Sequence, residues 1–335
     1  MIWKKIGLGI LILLGLGLAI IVILYLNAID LSKKHTASVD NLPYYSEEVD
    51  TGAFRLAIGE FEFLIRVAGM QNEGPAVVLL HGFPESSLMW RSLLDTAATK
   101  GYRVLAFDQR GYSPKARPSG IENYHMDHLV QDVLHVADAV GFNRFHLVGH
   151  DWGSAVGWMT TMEHPERIES WTAMAIAHPG VFFPAILHHP EQKKRSSYMS
   201  SLRMPLVPEL FFQLNKDNFL ARLKGIWTDE QLAAFEAIQS EHGALTAALN
   251  WYRAVDFEGL KIENSFDKGV MRPTLFIWGS EDGVIAEEII PEQEAFIKAP
   301  YKKLRLKAGH SLIQEKPDSV MQAIFEHIEG SENIE

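Results

Sequence analysis

Cysteine is absent from all 335 residues, so neither a disulfide framework nor thiolate chemistry is open to this chain. Positive charge is also scarce: 31 Lys and Arg stand against 42 Asp and Glu, a formal net charge of -11 at pH 7. A nucleic-acid surface needs Lys and Arg gathered on one face to neutralise phosphates, and no such stripe occurs. The loops HGF at 81–83 and DQRG at 108–111 lack the G-K-[ST] of a phosphate cradle. No cluster of cysteines beside them would hold a metal. What is present, 47% apolar residues, suffices to bury one sizeable core with a smaller module attached.

Long hydrophobic runs are missing too, with one exception. IGLGILILLGLGLAIIVILYL, from Ile6 to Leu26, carries no charge; as a helix rising about 1.5 Å per residue it spans roughly 30 Å, the thickness of a bilayer's hydrocarbon. It exceeds the apolar region of a typical signal peptide and lacks an A-x-A cleavage site. The expectation is one N-terminal transmembrane helix, a lipid bilayer as partner and a single-pass membrane localisation. Lys4, Lys5 and the terminal amine, against Lys33 and Lys34 offset by Asp30, put the rest of the chain on the non-cytoplasmic side. The expected organisation is an anchor at 1–28, a linker at 29–50 and a folded part from 51 onward.

In the folded part, FRLAIGEFEFLIRVAG at 54–69 alternates in two runs about Gly59 and Glu60, which suits an antiparallel hairpin at a sheet edge. AVVLL (76–80), RVLAF (103–107), FHLVG (145–149), WTAMAIA (171–177), TLFIWG (274–279) and KLRLK (303–307) follow as short strands spaced by helical stretches. Strands apolar on both faces and a helix's length apart form a parallel sheet covered on each side, so the fold class is α/β. The spacing breaks once, between Ala177 and Thr274, where RSSYMSSLRMPLVPELFFQL, WTDEQLAAFEAI and GALTAALNWYRAV read as helices punctuated by Pro205 and Pro208. A mostly helical lid inserted after the sixth strand is expected at 180–268, dividing the core into 51–179 and 269–335. Above the carboxyl ends of the strands it would exclude water and lower side chains onto a substrate.

FHLVG ends as a strand and SAVGWMTTMEHPERI begins as a helix, so HDW is the sharp turn between them. Such a turn strains its central residue and needs small residues on either side; GHDWG supplies Gly149 and Gly153 around Asp151. Capping the helix would also suit an aspartate, yet capping does not call for glycines on both flanks. Ser154 lies one residue past the pattern and turns away with the helix. Asp151 is the expected nucleophile. Its partners follow in chain order: Asp282 on the loop after TLFIWG, then His310 beyond KLRLKAG. Asp282, in preference to the adjacent Glu281, would hold one imidazole nitrogen so that the other stays basic. The backbone N–H groups of Phe83 and Trp152 would face an oxygen that gains charge. His81, Gly82, Asp108 and Arg110 are expected to shape the neighbouring loops.

From about residue 50 to 331 the chain resembles the α/β-hydrolase fold and, within it, the epoxide hydrolase family. HGFPESS (81–87), FDQRGYS (107–113), VGHDWGS (148–154), the Asp282 loop, GHSLIQEKP (309–317) and LNWYRA (249–254) carry the resemblance. It implies lid tyrosines acting as acids toward the opening ring oxygen: Tyr252 matches one, and Tyr198 in SSYMSSLRMP, upstream of the usual place, is available as the second. The implied reaction opens a small lipophilic epoxide to a vicinal diol through an ester on Asp151, cleaved by water that His310 activates, with no metal or organic cofactor. Two alternatives stay open. Haloalkane dehalogenases use the same Asp-His-Asp triad, but commonly bind halide with the Trp after the nucleophile and an Asn where this chain has Phe83, or a second lid Trp. A catalytically inactive, membrane-anchored ligand-binding protein would keep the pocket, with little use for His310 and Asp282 in triad order.

Overall fold

The computed structural model describes residues 19, 40–239, 241, 243–255 and 269–332. Among them eight strands form one sheet: β1 (Gly52–Ile58), β2 (Phe61–Ala68), β3 (Ala76–Leu80), β4 (Arg103–Phe107), β5 (Phe145–His150), β6 (Ile168–Met174), β7 (Thr274–Gly279) and β8 (Tyr301–Leu306), in the order β1-β2-β4-β3-β5-β6-β7-β8. The expected hairpin is β1 and β2, and β2 also runs antiparallel to β4; every later pair is parallel. β3, β5 and β7 are buried along their whole length, as continuous apolar runs in a doubly covered sheet must be. β8 lies at the edge and exposes Lys302, Lys303 and Arg305, charges that discourage pairing with another chain.

Helices α1 (Arg91–Thr99), α2 (Met126–Ala139) and α3 (Trp152–Glu163) follow β3, β4 and β5. Between β6 and β7 stand the lid helices α4 (Pro179–His188), α5 (Pro190–Arg195), α6 (Tyr198–Leu202), α7 (Val207–Leu214), α8 (Lys216–Leu223), α9 (Asp229–Gln239) and α10 (Ala244–Arg253), and α11 (Leu312–Glu315) and α12 (Pro317–Glu332) come after β8. Leu93, Leu94, Val320 and Ile324 of α1 and α12 pack with Val77, Leu79 and Ile277 on one face of the sheet. Val133, Val156 and Trp158 of α2 and α3 join Val78, Leu80 and Leu147 on the other. Each such side chain contributes about 1.5–3 kcal/mol on burial. The sheet is thereby rigid enough to aim the loops at its carboxyl ends.

The lid is the expected helical insertion after the sixth strand. α4 and α5 each begin with proline, where its missing N–H leaves no helical bond unmade. Trp251 Nε1 of α10 donates to Arg110 O at 2.8 Å and ties the lid to the core, while Arg253 pairs with Glu209 of α7 at 2.8 Å within the lid. β6 ends earlier than the apolar run suggests, because Ala175 turns to φ 69 and the chain leaves the sheet there.

The expected transmembrane helix is corrected. Among the described residues no helix is long and apolar enough to cross a membrane, and the run 6–26, apart from Ala19, lies outside them. The bilayer partner and the single-pass localisation fall with it: they rested on hydropathy, and an uncharged run of sufficient length does not by itself establish a helix.

Candidate active site

β5 ends at His150 and α3 begins at Trp152, so Asp151 carries the whole reversal. It does so at φ 54 and ψ -119, a region that costs an L residue about 1–3 kcal/mol. Space dictates the flanking glycines. A Cβ on Gly149 would lie 2.4 Å from Gly153 O, and one on Gly153 would lie 2.2 Å from Leu80 O. Gly82 is kept small by Asp151 itself, whose Cβ and Oδ1 would stand 2.4 and 2.5 Å from an added carbon. This close approach lets Phe83 N–H donate to Asp151 Oδ1 at 2.8 Å, and the nearby Trp152 N–H favours the charged carboxylate. Ser154 is fully buried, its hydroxyl bonded to Gly149 O at 2.7 Å and Met174 O at 2.8 Å. That hydroxyl is a structural pin.

His310 Nδ1 donates to Asp282 Oδ2 at 2.8 Å, and its Nε2 stands 3.4 Å from Asp151 Oδ2. Asp282 is 2% exposed, whereas Glu281, in the turn closed by Asp282 N–H and Gly279 O, is on the surface. Val284 N–H holds Asp282 Oδ1 at 2.7 Å. Burial works against charge on all three groups, but the partners win. Against that burial, the charge of Asp282 and the hydrogen bond to Asp151 raise His310 well above its ordinary value. For Asp151, likewise against burial, the His310 hydrogen bond and charge, His150 and the Trp152 N–H hold the carboxyl below the usual range. Asp282 is held low in the same manner, chiefly by the charge of His310. Asp151 and Asp282 therefore flank one imidazolium.

Two neighbours were passed over in the sequence. His150 Nε2 donates to the backbone O of His310 at 2.8 Å, and burial pulls His150 down to about 4, so it stays neutral. Burial pushes the Glu85 carboxyl up to about 8, against a hydrogen bond from Gln314 at 2.7 Å. Both residues lie inside the quoted motifs, but the burial that gives them their character is invisible in a linear string. His81, as expected, shapes its loop: Nδ1 bonds Gly82 O at 3.0 Å and Nε2 accepts from Gln109 N–H at 3.0 Å. Asp108 accepts from Ser87 at 2.6 Å, and Arg110 is paired with Asp132 at 2.7 Å.

Facing the carboxylate is an apolar cavity lined by Asp151, Trp152, Ile176, Phe182, Tyr198 and Tyr252 among others. Tyr252, 3% exposed, sets its ring edge-on to Trp152 at 5.0 Å and Phe83 at 5.3 Å. Tyr198 opens α6 and brings its ring to 6.3 Å from that of Tyr252. Burial, followed by the charge of Asp151 among other causes, raises both phenols, so they remain protonated donors at neutral pH. The structure thus brings together all seven residues singled out in the sequence. Among the described residues no group of three or more His, Cys, Asp or Glu is arranged to hold a metal.

Residues 75–317 match the family model described as alpha/beta hydrolase fold. Epoxide hydrolase 3 of Xenopus tropicalis is 33% identical over 271 residues, covering 77% of this chain and 72% of the relative. Epoxide hydrolase 4 of Homo sapiens is 33% identical over 271 residues, 77% of this chain and 74% of its own. The crystal structure of the Bacillus megaterium epoxide hydrolase with an inhibitor superposes with a TM-score of 0.73 at 26% identity, covering 82% of this chain and 99% of that one. With an elbow, a histidine and a helical lid arranged on the matching sheet, the chain belongs to the epoxide hydrolase family of the alpha/beta hydrolase fold.

Proposed function

We propose that the protein opens small apolar epoxides to vicinal diols through an ester on Asp151. One observation carries the reading: an ionised carboxylate and two protonated phenols border the same apolar cavity. A strained ring needs a nucleophile at carbon and a donor at oxygen, and these are the two groups. Phe83 N–H occupies Asp151 Oδ1, which leaves Oδ2 as the attacking oxygen. As the Oδ2–C bond forms and the ring C–O bond breaks, Tyr252 and Tyr198 donate to the departing oxygen.

The second half follows from charge. In the resting site two carboxylates keep His310 protonated; once Asp151 is an ester, one of those charges is gone, the ring's affinity for its proton falls, and that proton returns to the phenolate left by ring opening, so that neutral imidazole is available as the base. It takes a proton from water attacking the ester carbon, while Oδ1 gathers charge against the Phe83 and Trp152 amides. Collapse returns the carboxylate and releases the diol.

Haloalkane dehalogenation is disfavoured because Phe83 stands where a halide-binding Asn is commonly found, and two protonated phenols border the cavity that the carboxylate faces. A pure binding role leaves the Asp282–His310 pair without a task. The test is His310→Gln, incubated with an aryl epoxide and separately with a haloalkane, followed by intact mass and peptide mapping. A hydroxyalkyl adduct on Asp151 from the epoxide alone supports the reading. An adduct from the haloalkane alone would replace it with dehalogenation, and the absence of any adduct together with no turnover by the unmutated protein would sink both.

A further inference from the structure

The lid is fastened directly to the loop that carries Asp282. Gln192 of α5 is fully buried; its Oε1 accepts from Ala286 N–H at 2.8 Å, and its Nε2 donates to Val284 O at 2.8 Å and to Ser196 Oγ at 2.8 Å. One amide thus satisfies a donor and an acceptor two residues apart, as a neighbouring strand would. Nearly a turn further on, Arg195 donates to Asp282 O and, at 3.0 Å, to Ile285 O. Glu191 steadies it from the side at 2.9 Å. Backbone bonds from Ser280 N–H to Leu306 O and from Glu281 N–H to Ala308 O hold the first part of the loop, and these lid side chains hold the part from Asp282 to Ala286.

The bonds form a continuous line to the reacting atoms. Val284 offers its N–H to Asp282 Oδ1 and its carbonyl to Gln192. With Oδ1 pinned, Oδ2 is left for His310 Nδ1. Tyr198 begins α6 only three positions after Arg195, so one short stretch of lid touches both the acid loop and the substrate cavity.

We propose that Gln192 and Arg195 are positioning residues that make ester hydrolysis depend on the docked lid. The inference rests on the ester mechanism above. Attack by Asp151 needs the elbow and the tyrosines, and proceeds without a well-aimed Asp282. Hydrolysis needs His310 neutral, correctly oriented and supported, and fails when the acid loop drifts. His310 is faced by Asp151, Asp282, His150 and Glu85, of which Asp282 alone is held by α5. Binding that seats Tyr198 also seats the base, which ties water activation to an occupied cavity.

The test uses the full chain carrying Gln192→Leu, Arg195→Met or Arg195→Lys, with Lys193→Ala on the exposed side of α5 as the control. Single-turnover quenching with an aryl epoxide, read by the mass of the Asp151 peptide, gives alkylation and hydrolysis separately. Gln192→Leu and Arg195→Met should slow hydrolysis about 10- to 100-fold, a cost in line with small misplacements far from the chemistry, and leave alkylation nearly unchanged, so the ester accumulates. The pH midpoint of hydrolysis should move down, because His310 loses support from the carboxylate that raises it. Arg195→Lys, which keeps a donor, should recover part of the rate. Equal slowing of both steps, or a lowered melting temperature with both rates intact, would reduce these residues to a structural role and overturn the proposal. Should Gln192→Leu not fold, the two Arg195 variants decide. An unmutated protein that turns epoxide over without any ester on Asp151 would instead overturn the mechanism on which the inference stands.

Discussion

The two halves of the cavity are held by different means. On the sheet side, Asp151 and its amide donors are fixed by main chain: the atoms that crowd Gly149 and Gly153 are backbone carbonyls and cannot step aside. On the lid side, Tyr252 is fixed by side chains, by the rings of Trp152 and Phe83 and by the neighbouring Trp251 and Arg253 contacts. Main-chain fixation tolerates almost no change, whereas packed side chains accept exchanges that conserve volume. The carboxylate's aim is thereby set by main chain, and the opposite wall of the cavity by side chains of the lid.

The sharpest test of that division is Asp282→Asn. It should leave alkylation in place and slow ester hydrolysis about 10⁴-fold, the loss seen when a triad histidine is left in the wrong tautomer; single-turnover kinetics would show a small loss if the main chain alone oriented His310. Gly153→Ala, which must push against Leu80 O and His81 O, should cost about 3 kcal/mol in urea unfolding, the upper range for overpacking. Tyr252→Phe should lower alkylation about 100-fold, within the reach of a lost acid, and Tyr198→Phe less, since it is the less buried of the pair. Rates for the two variants that are equal to wild type would remove the tyrosines from the chemistry. Met199→Leu, in the cavity wall, should cost under about 1.5 kcal/mol and alter the ratio of rates between bulky and slim epoxides.

The smallest effect is electrostatic. Because the folded site raises His310, its protonated form stabilises the fold fully below the unfolded value near 6.5, and that stabilisation is lost as pH rises through the raised one. Asp151→Asn removes one of the two charges responsible. A titration of the His310 ring by NMR should then find its midpoint lowered, and the melting temperature should fall less on the alkaline side than in the unmutated protein. An unchanged midpoint would mean that Asp282 alone governs the ring, and that ester formation does not prime the base.

What could be read from the sequence was local. Glycine spacing around Asp151, the chain order of Asp282 and His310, and the break between Ala177 and Thr274 each express a constraint acting over a few residues or one missing crossover. Gln192 shows the opposite case. It sits in PEQKKR, polar throughout, which reads as a solvated face, yet it is fully buried because its partners lie on a loop that only the folded sheet brings near. Glu85 and His150 were hidden for the same reason. Tyr198, upstream of the place the family usually fills, reaches the cavity because the short helix it opens faces α10. The run 6–26 met a length criterion and nothing more, and the end of β6 was misjudged because a left-handed backbone at Ala175 leaves no mark in an apolar stretch.

The insertion of the lid between β6 and β7 has a consequence for biosynthesis. The elbow, its amide donors and both tyrosines leave the ribosome before Asp282 and His310 do. On the proposed mechanism a partly made chain lacks the base, so an ester formed early would have no means of hydrolysis. Hydrolysis on that mechanism waits for β7 and β8, after which Asp282 and His310 follow in the chain.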